Sequence, residues 1–187
     1  MQPTVTLTSS GAAGQKRLAA SLASLTRKQV LIGIPTTTAM ERKRQLMSIA
    51  SRSGKHRRAR IQNQAVVSGV NNAELLFIQS NGSPVKHIPA RPVLEPALED
   101  EANKALYTPE LASAAAAILD GNPDLAEKHL NRAALIGQNV AKGWFTNSRN
   151  GWVPNAQSTI RAKGSSRPLI DTSSMRNAIV GFVADDK

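Results

Sequence analysis

Hydrophobic positions along the chain switch between a helical and an extended period, and the switches mark its elements. Leu18, Leu22 and Leu25 recur every three or four residues among alanines, which predicts an amphipathic helix over residues 15–25. The β-branched run Val30-Leu31-Ile32-Gly33-Ile34 before Pro35 predicts a buried strand over 29–34. Ahead of both, Thr4-Val5-Thr6-Leu7-Thr8 alternates weakly, as an edge strand or a pairing tail would. Thr36-Thr37-Thr38 can cap a helix over 40–49, whose few apolar contacts are Leu46, Met47 and Ile49. Leu75, Leu76 and Ile78 give a helical turn over 71–79, followed by the turn signal Asn81-Gly82.

The second half is more strongly punctuated. A helix over 95–106 carries Pro96 in its first turn. Thr108-Pro109-Glu110 reads as cap, first-turn proline and acidic residue, and Asn122-Pro123-Asp124 repeats that order. Gly121 closes the intervening helix over 110–119. A second helix over 124–144 has the apolar line Ala126, Leu130, Ala133, Gly137, Val140 and Trp144. Residues 108–146 are therefore expected to form an inserted helical hairpin. After a loop at 147–150 comes an aromatic-proline turn, Gly151-Trp152-Val153-Pro154-Asn155, and a polar stretch over 159–164. Pro168-Leu169-Ile170 is expected to run extended into Asp171-Thr172-Ser173-Ser174, where Asp171 or Thr172 caps a short helix carrying Met175 and Ile179. A closing strand over 179–183 and a polar end follow.

Charge changes the reading of one region. The 187 residues carry a formal net charge of +11, so nucleic acid or an acidic partner is plausible. Eight basic residues fall between positions 42 and 60: Arg42, Lys43, Arg44, Arg52, Lys55, Arg57, Arg58 and Arg60, with Glu41 the only acid nearby. That block has little apolar surface of its own, so residues 36–70 read as an extended basic arm or loop projecting from a single domain. It is a solvated loop, a nucleic-acid contact or a dock for an acidic neighbour. With 41% apolar residues the chain can bury a core of modest size. There is no cysteine, hence no disulfide or cysteine-ligated zinc, which fits a reducing cytoplasm. No signal pattern and no run long enough to cross a bilayer occur, so no membrane partner is expected.

Catalytic chemistry has little to stand on. His56, His87 and His129 are isolated from one another and from carboxylates at metal-ligand spacing. Ser53-Gly54-Lys55-His56 lacks the upstream glycine of a phosphate loop, and there is no Gly-x-Ser-x-Gly elbow. The carboxylate groups Glu99-Asp100-Glu101 and Asp185-Asp186 read as a solvated helix face and a terminus. The expectation is a protein that is not an enzyme and uses no cofactor or metal.

Two strings, in order, carry a resemblance. In the first, Ile88, Pro89, Ala90, Arg91, Pro92 and Leu94 stand between a glycine turn and a helix. In the second, Trp152, Pro154, Thr159, Ile160, Lys163, Gly164, Leu169, Ile170, Asp171 and Thr172 lead into the last short helix. Together they resemble the tail-completion and neck proteins of tailed bacteriophages, including Mu-like virion morphogenesis proteins. Val93 stands where that family usually has Phe, and Ser173 where it usually has Gly. The two prolines around Arg91 hold the backbone extended. Arg91 is thereby presented to a carboxylate on the chain or a neighbour, or is simply part of a rigid lead-in to the next helix.

The resemblance implies an α+β fold, a small antiparallel sheet packed with helices. It also implies a structural role in the virion at the head–tail joint, as tail completion, tail terminator or neck. The chain would then assemble in the host cytoplasm as a ring, six-fold in the family. Its partners would be the tail tube and the neck or connector proteins, with DNA passing through the channel. The alternative is sequence-independent nucleic-acid binding by the arm over 42–60, which aromatic content of 3% weakens for single strands.

Overall fold

The computed structural model describes residues 11–36, 39–67 and 69–185. Helix α1 (Gly11–Thr26) leads into strand β1 (Lys28–Gly33). Helices α2 (Ala39–Ser51), α3 (Lys55–Val67) and α4 (Asn72–Asn81) follow. Then come α5 (Leu94–Glu99), α6 (Glu101–Leu119) and α7 (Pro123–Trp144). The chain closes with α8 (Gln157–Lys163), α9 (Ser174–Asn177) and strand β2 (Val180–Asp185). The fold is α+β: mostly helical, with a two-stranded antiparallel sheet formed by β1 and β2. The weak alternation at 4–8, two of the three threonines expected to cap α2, and the side chains of Leu18, Leu22 and Leu25 lie outside the described residues.

Helix α7 is the spine. Asn122 caps it, its side chain accepting from the Leu125 amide, and Pro123 occupies the first turn. Its line Ala126, Leu130, Ala133, Gly137 and Trp144 is buried as the periodicity predicts. What the periodicity does not reveal is the load it carries: α7 packs against α6, α5 and both strands. Helices α6 and α7 pair as a hairpin, and α7 is the central element of the fold. The reason is the small residues, which let the sheet lie directly on the helix. The Gly181 backbone crosses Ala134, and Ile32 fills the space over Gly137.

Two further boundaries differ. The helix expected over 95–106 breaks at Asp100, which ends α5 and caps α6 by accepting from the Asn103 amide. Helix α6 then runs through Thr108-Pro109 instead of starting there. Packing along α7 outweighs the one hydrogen bond that Pro109 cannot make. The polar stretch 159–164 forms the end of α8, closed by Gly164 in the left-handed region.

The main core gathers Leu76, Val93, Ala97, Ala141, Trp144, Phe145, Met175 and Ile179, with Trp152, Leu169 and Ile170 packed against it. Phe145 and Trp152 meet edge to face at 5.9 Å. Both resembling strings therefore contribute to one core.

Candidate functional site

Residues 36–70 are not an extended arm. Helices α2 and α3 form a hairpin around their own small core of Leu46, Ala50 and Ile61. A block this basic folds because its charges are assigned locally. Arg58 donates to the Ala50 and Ser51 carbonyls at the end of α2, where a cation is favoured. Arg52 donates to Ser48 Oγ, and Arg57 to the Asp171 carbonyl. Arg42 is buried, and its guanidinium donates to Asn72 Oδ1 at 3.2 Å and to the Val70 carbonyl at 3.1 Å. Burial holds its pKa below the ordinary arginine value. Lys43, Arg44 and Lys55 face outward.

The hairpin is fastened to the C-terminal string by Arg60. Its two terminal nitrogens grip the Asp171 carboxylate at 2.5 and 2.6 Å, a bidentate pair with both side chains about one-fifth exposed. The hydrogen bond to Asp171 raises the Arg60 pKa against the opposing effect of burial. Asp171 is thus not the cap of the last helix. Thr172 Oγ1 accepts from the Ser174 amide at 3.3 Å, while the residue before the helix, Ser173, sits at φ +61°. Nor is the lead-in extended: Leu169 lies at φ +56°, and the Ile170 amide bonds back to the Pro168 carbonyl in a three-residue turn.

Left-handed backbone at a serine costs about 1–2 kcal/mol, and glycine's extra chain entropy recovers only part of that when it is substituted. Ser173→Gly should therefore stabilise the fold by about 0.5–1 kcal/mol, raising Tm by about 1–4 °C in thermal unfolding. A lowered Tm would show that the serine side chain makes a contribution larger than the backbone strain.

Arg91 is corrected as well. It turns inward, only 7% exposed, and meets no carboxylate. Its Nε and Nη2 donate to the Val153 carbonyl at 3.2 and 2.9 Å, and Nη2 also reaches the Pro154 carbonyl at 3.4 Å. In return Trp152 Nε1 donates to the Pro92 carbonyl at 2.9 Å. The two resembling strings hold each other reciprocally, although 60 residues separate Pro92 from Trp152. Pro89 and Pro92 keep the first string straight for this, and Ile88 pairs with Ser83 at its start.

Between these fastenings lies a cavity of about 830 Å³. Arg42 and Arg60 line it from the basic hairpin, Arg91 from the first string, and Thr159 and Lys163 from one face of α8. Asp171 and Thr172 come from the strained loop, and Leu46, Leu75, Leu169 and Met175 supply apolar wall. Lys163 donates to the Arg167 carbonyl. Its pKa is lowered, first by burial and then by Arg91 and Arg60, with Asp171 acting in the opposite direction. Of the basic residues singled out in the sequence, only Arg42, Arg60, Arg91 and Lys163 converge here; Lys43, Arg44, Arg52, Lys55, Arg57 and Arg58 do not line it.

A buried polar network beside the cavity escaped sequence reasoning. Asn72 Nδ2 donates to Gln45 Oε1 at 3.2 Å and meets Ser174 Oγ at 3.4 Å, and Ser174 Oγ donates to Gln45 Oε1 at 3.1 Å. A local signal did exist. Asn71 and Glu74 form a reciprocal capping box that fixes the start of α4 and so places Asn72.

Among the described residues, no group of three His, Asp or Glu is placed to hold a metal ion, and no helix is long and apolar enough to cross a membrane. Compared with models of known families, with characterised proteins and with solved structures, the chain gives no match.

Proposed function

We propose that this chain is a structural protein of a tailed-phage virion, building a ring at the head–tail joint. The observation that carries the reading is the reciprocal clasp. The two strings that resemble the tail-completion and neck family meet in space, Arg91 on the Val153 carbonyl and Trp152 on the Pro92 carbonyl. Motif residues far apart in sequence thus form one structural unit, as expected if the motif specifies a fold and not a reaction.

The sheet supplies a surface for assembly. Ile32 and Gly181 face α7, so their neighbours Leu31 and Phe182 point the other way. These two are register partners, and they remain 40% and 43% exposed. An apolar pair on a two-stranded sheet favours contact with another chain. A head-to-tail interface of this kind generates a ring when its rotation closes. The output is binding geometry, with the tail tube and neck proteins as partners.

The outward Lys43, Arg44 and Lys55 favour a second reading, salt-sensitive contact with nucleic acid through the basic hairpin. The size of the purified protein, measured in low and high salt with and without DNA, separates the two. Under the ring reading, DNA leaves the size unchanged in both salts. Growth only with DNA, and only in low salt, would favour the second reading instead.

A further inference from the structure

We propose that the cavity between the basic hairpin and α8 is a binding site for an acidic peptide segment, whose carboxylates are received by Lys163 and Arg91. The inference needs only the cavity and stands whether or not the chain forms a ring.

Charge complementarity is the first support. Four cationic side chains converge on one carboxylate, Asp171, which the bidentate grip of Arg60 already occupies. Arg91 and Lys163, by contrast, donate to neutral carbonyl oxygens. Arg91 meets the Val153 and Pro154 carbonyls through Nε and Nη2, contacts that do not use Nη1. Lys163 meets the Arg167 carbonyl, one acceptor for an ammonium with three donors. Its pKa is lowered first by burial and then by the flanking Arg91 and Arg60, whose repulsion an incoming anion offsets.

Shape and composition select the source of the anion. The volume, about 830 Å³, is that of a site for a compact ligand or a few residues. Its walls include Leu46, Leu75 and Met175, which suit the apolar stems and neighbours of acidic side chains. Duplex DNA offers evenly spaced phosphates on a convex rod and nothing apolar, which matches an exposed basic stripe better than a recess. The loop presenting Asp171 is flanked by left-handed Leu169 and Ser173, strain of the kind found where a chain is held open for a ligand.

The test is calorimetric titration with a blocked hexapeptide of alternating Leu and Glu, beside its Gln counterpart, inorganic phosphate and a short random-sequence duplex DNA. The acidic peptide should bind and the Gln peptide should not. Lys163→Gln should weaken binding about tenfold or more, and Thr159→Trp, which keeps the charge but intrudes on the cavity, should do the same. Lys55→Gln removes an equal charge from α3 away from the cavity and should change nothing. Folding of each variant is checked by circular dichroism. The proposal is overturned if the folded wild type gives no heat with the acidic peptide, or if Lys55→Gln weakens binding as much as Lys163→Gln. It is also overturned if folded Thr159→Trp binds like wild type. DNA or phosphate binding that Lys163→Gln abolishes, without peptide binding, would reassign the site.

Discussion

Arg91→Ala is expected to destabilise the isolated subunit by about 2–3 kcal/mol, because hydrogen bonds to a charged group are worth about 1.5–3 kcal/mol and removing this buried side chain also leaves a void. Arg91 is 7% exposed and supplies the donors for Val153 and Pro154. Without it the aromatic-proline turn keeps the bond from Trp152 to Pro92 and its core packing, but loses the Arg91 fastening to the first string. Arg91→Lys should recover only part of the loss, since one ammonium cannot reproduce the fork that reaches both carbonyls. Urea unfolding of the three proteins measures this directly. Equal midpoints for wild type and Arg91→Ala, with a defect only in assembly, would return Arg91 to a role between subunits.

Gly181→Ala should be of similar severity, about 2–3 kcal/mol, the usual range for forcing extra atoms into a packed interface. A Cβ at Gly181 would lie 2.1 Å from the Ala134 carbonyl oxygen and 2.7 Å from its carbon. Both are backbone atoms of α7, so the strand itself must move, straining the Gln138 bond to the Gly181 amide. Gly137→Ala meets side-chain atoms only, Ile32 Cδ1 at 2.1 Å and more distantly Leu98, which can shift where backbone cannot, and should cost less. Gly33 is the control: a Cβ there meets nothing within 4 Å, so Gly33→Ala should leave stability close to wild type. For a chain of this size the expected loss at Gly181 lowers Tm by about 4–10 °C. A Gly181→Ala protein as stable as Gly33→Ala would mean that the sheet does not lie on α7 as described.

Local signals were legible in the chain, and long-range ones were not. The cap, proline and small-residue line of α7 announced both the helix and its buried face, since each acts within a turn or two. The β-branched run before Pro35 announced β1 for the same reason. The role of α7 as the spine was hidden, because Gly137 and Gly181 become meaningful only once they are opposed across the sheet. Helix α6 hid its continuity behind a local grammar at Thr108-Pro109 that packing overrode. Charge density misled most at 36–70. It describes a block of cations, but not that Arg58 would close a helix, Arg60 hold Asp171 and Arg42 enter a buried network. The candidate cavity was half visible: the sequence singled out Arg42, Arg60, Arg91, Lys163, Asp171 and Thr172 separately, and only the fold brings them to one wall.

If the chain builds a ring at the head–tail joint, its copies occupy one fixed place in the particle. The most direct measurement is electron microscopy of assembled particles with the subunit located, for example through a fused marker domain. A closed ring of subunits at the head–tail joint is the predicted result. A single copy, or copies scattered along the tail tube, would contradict it.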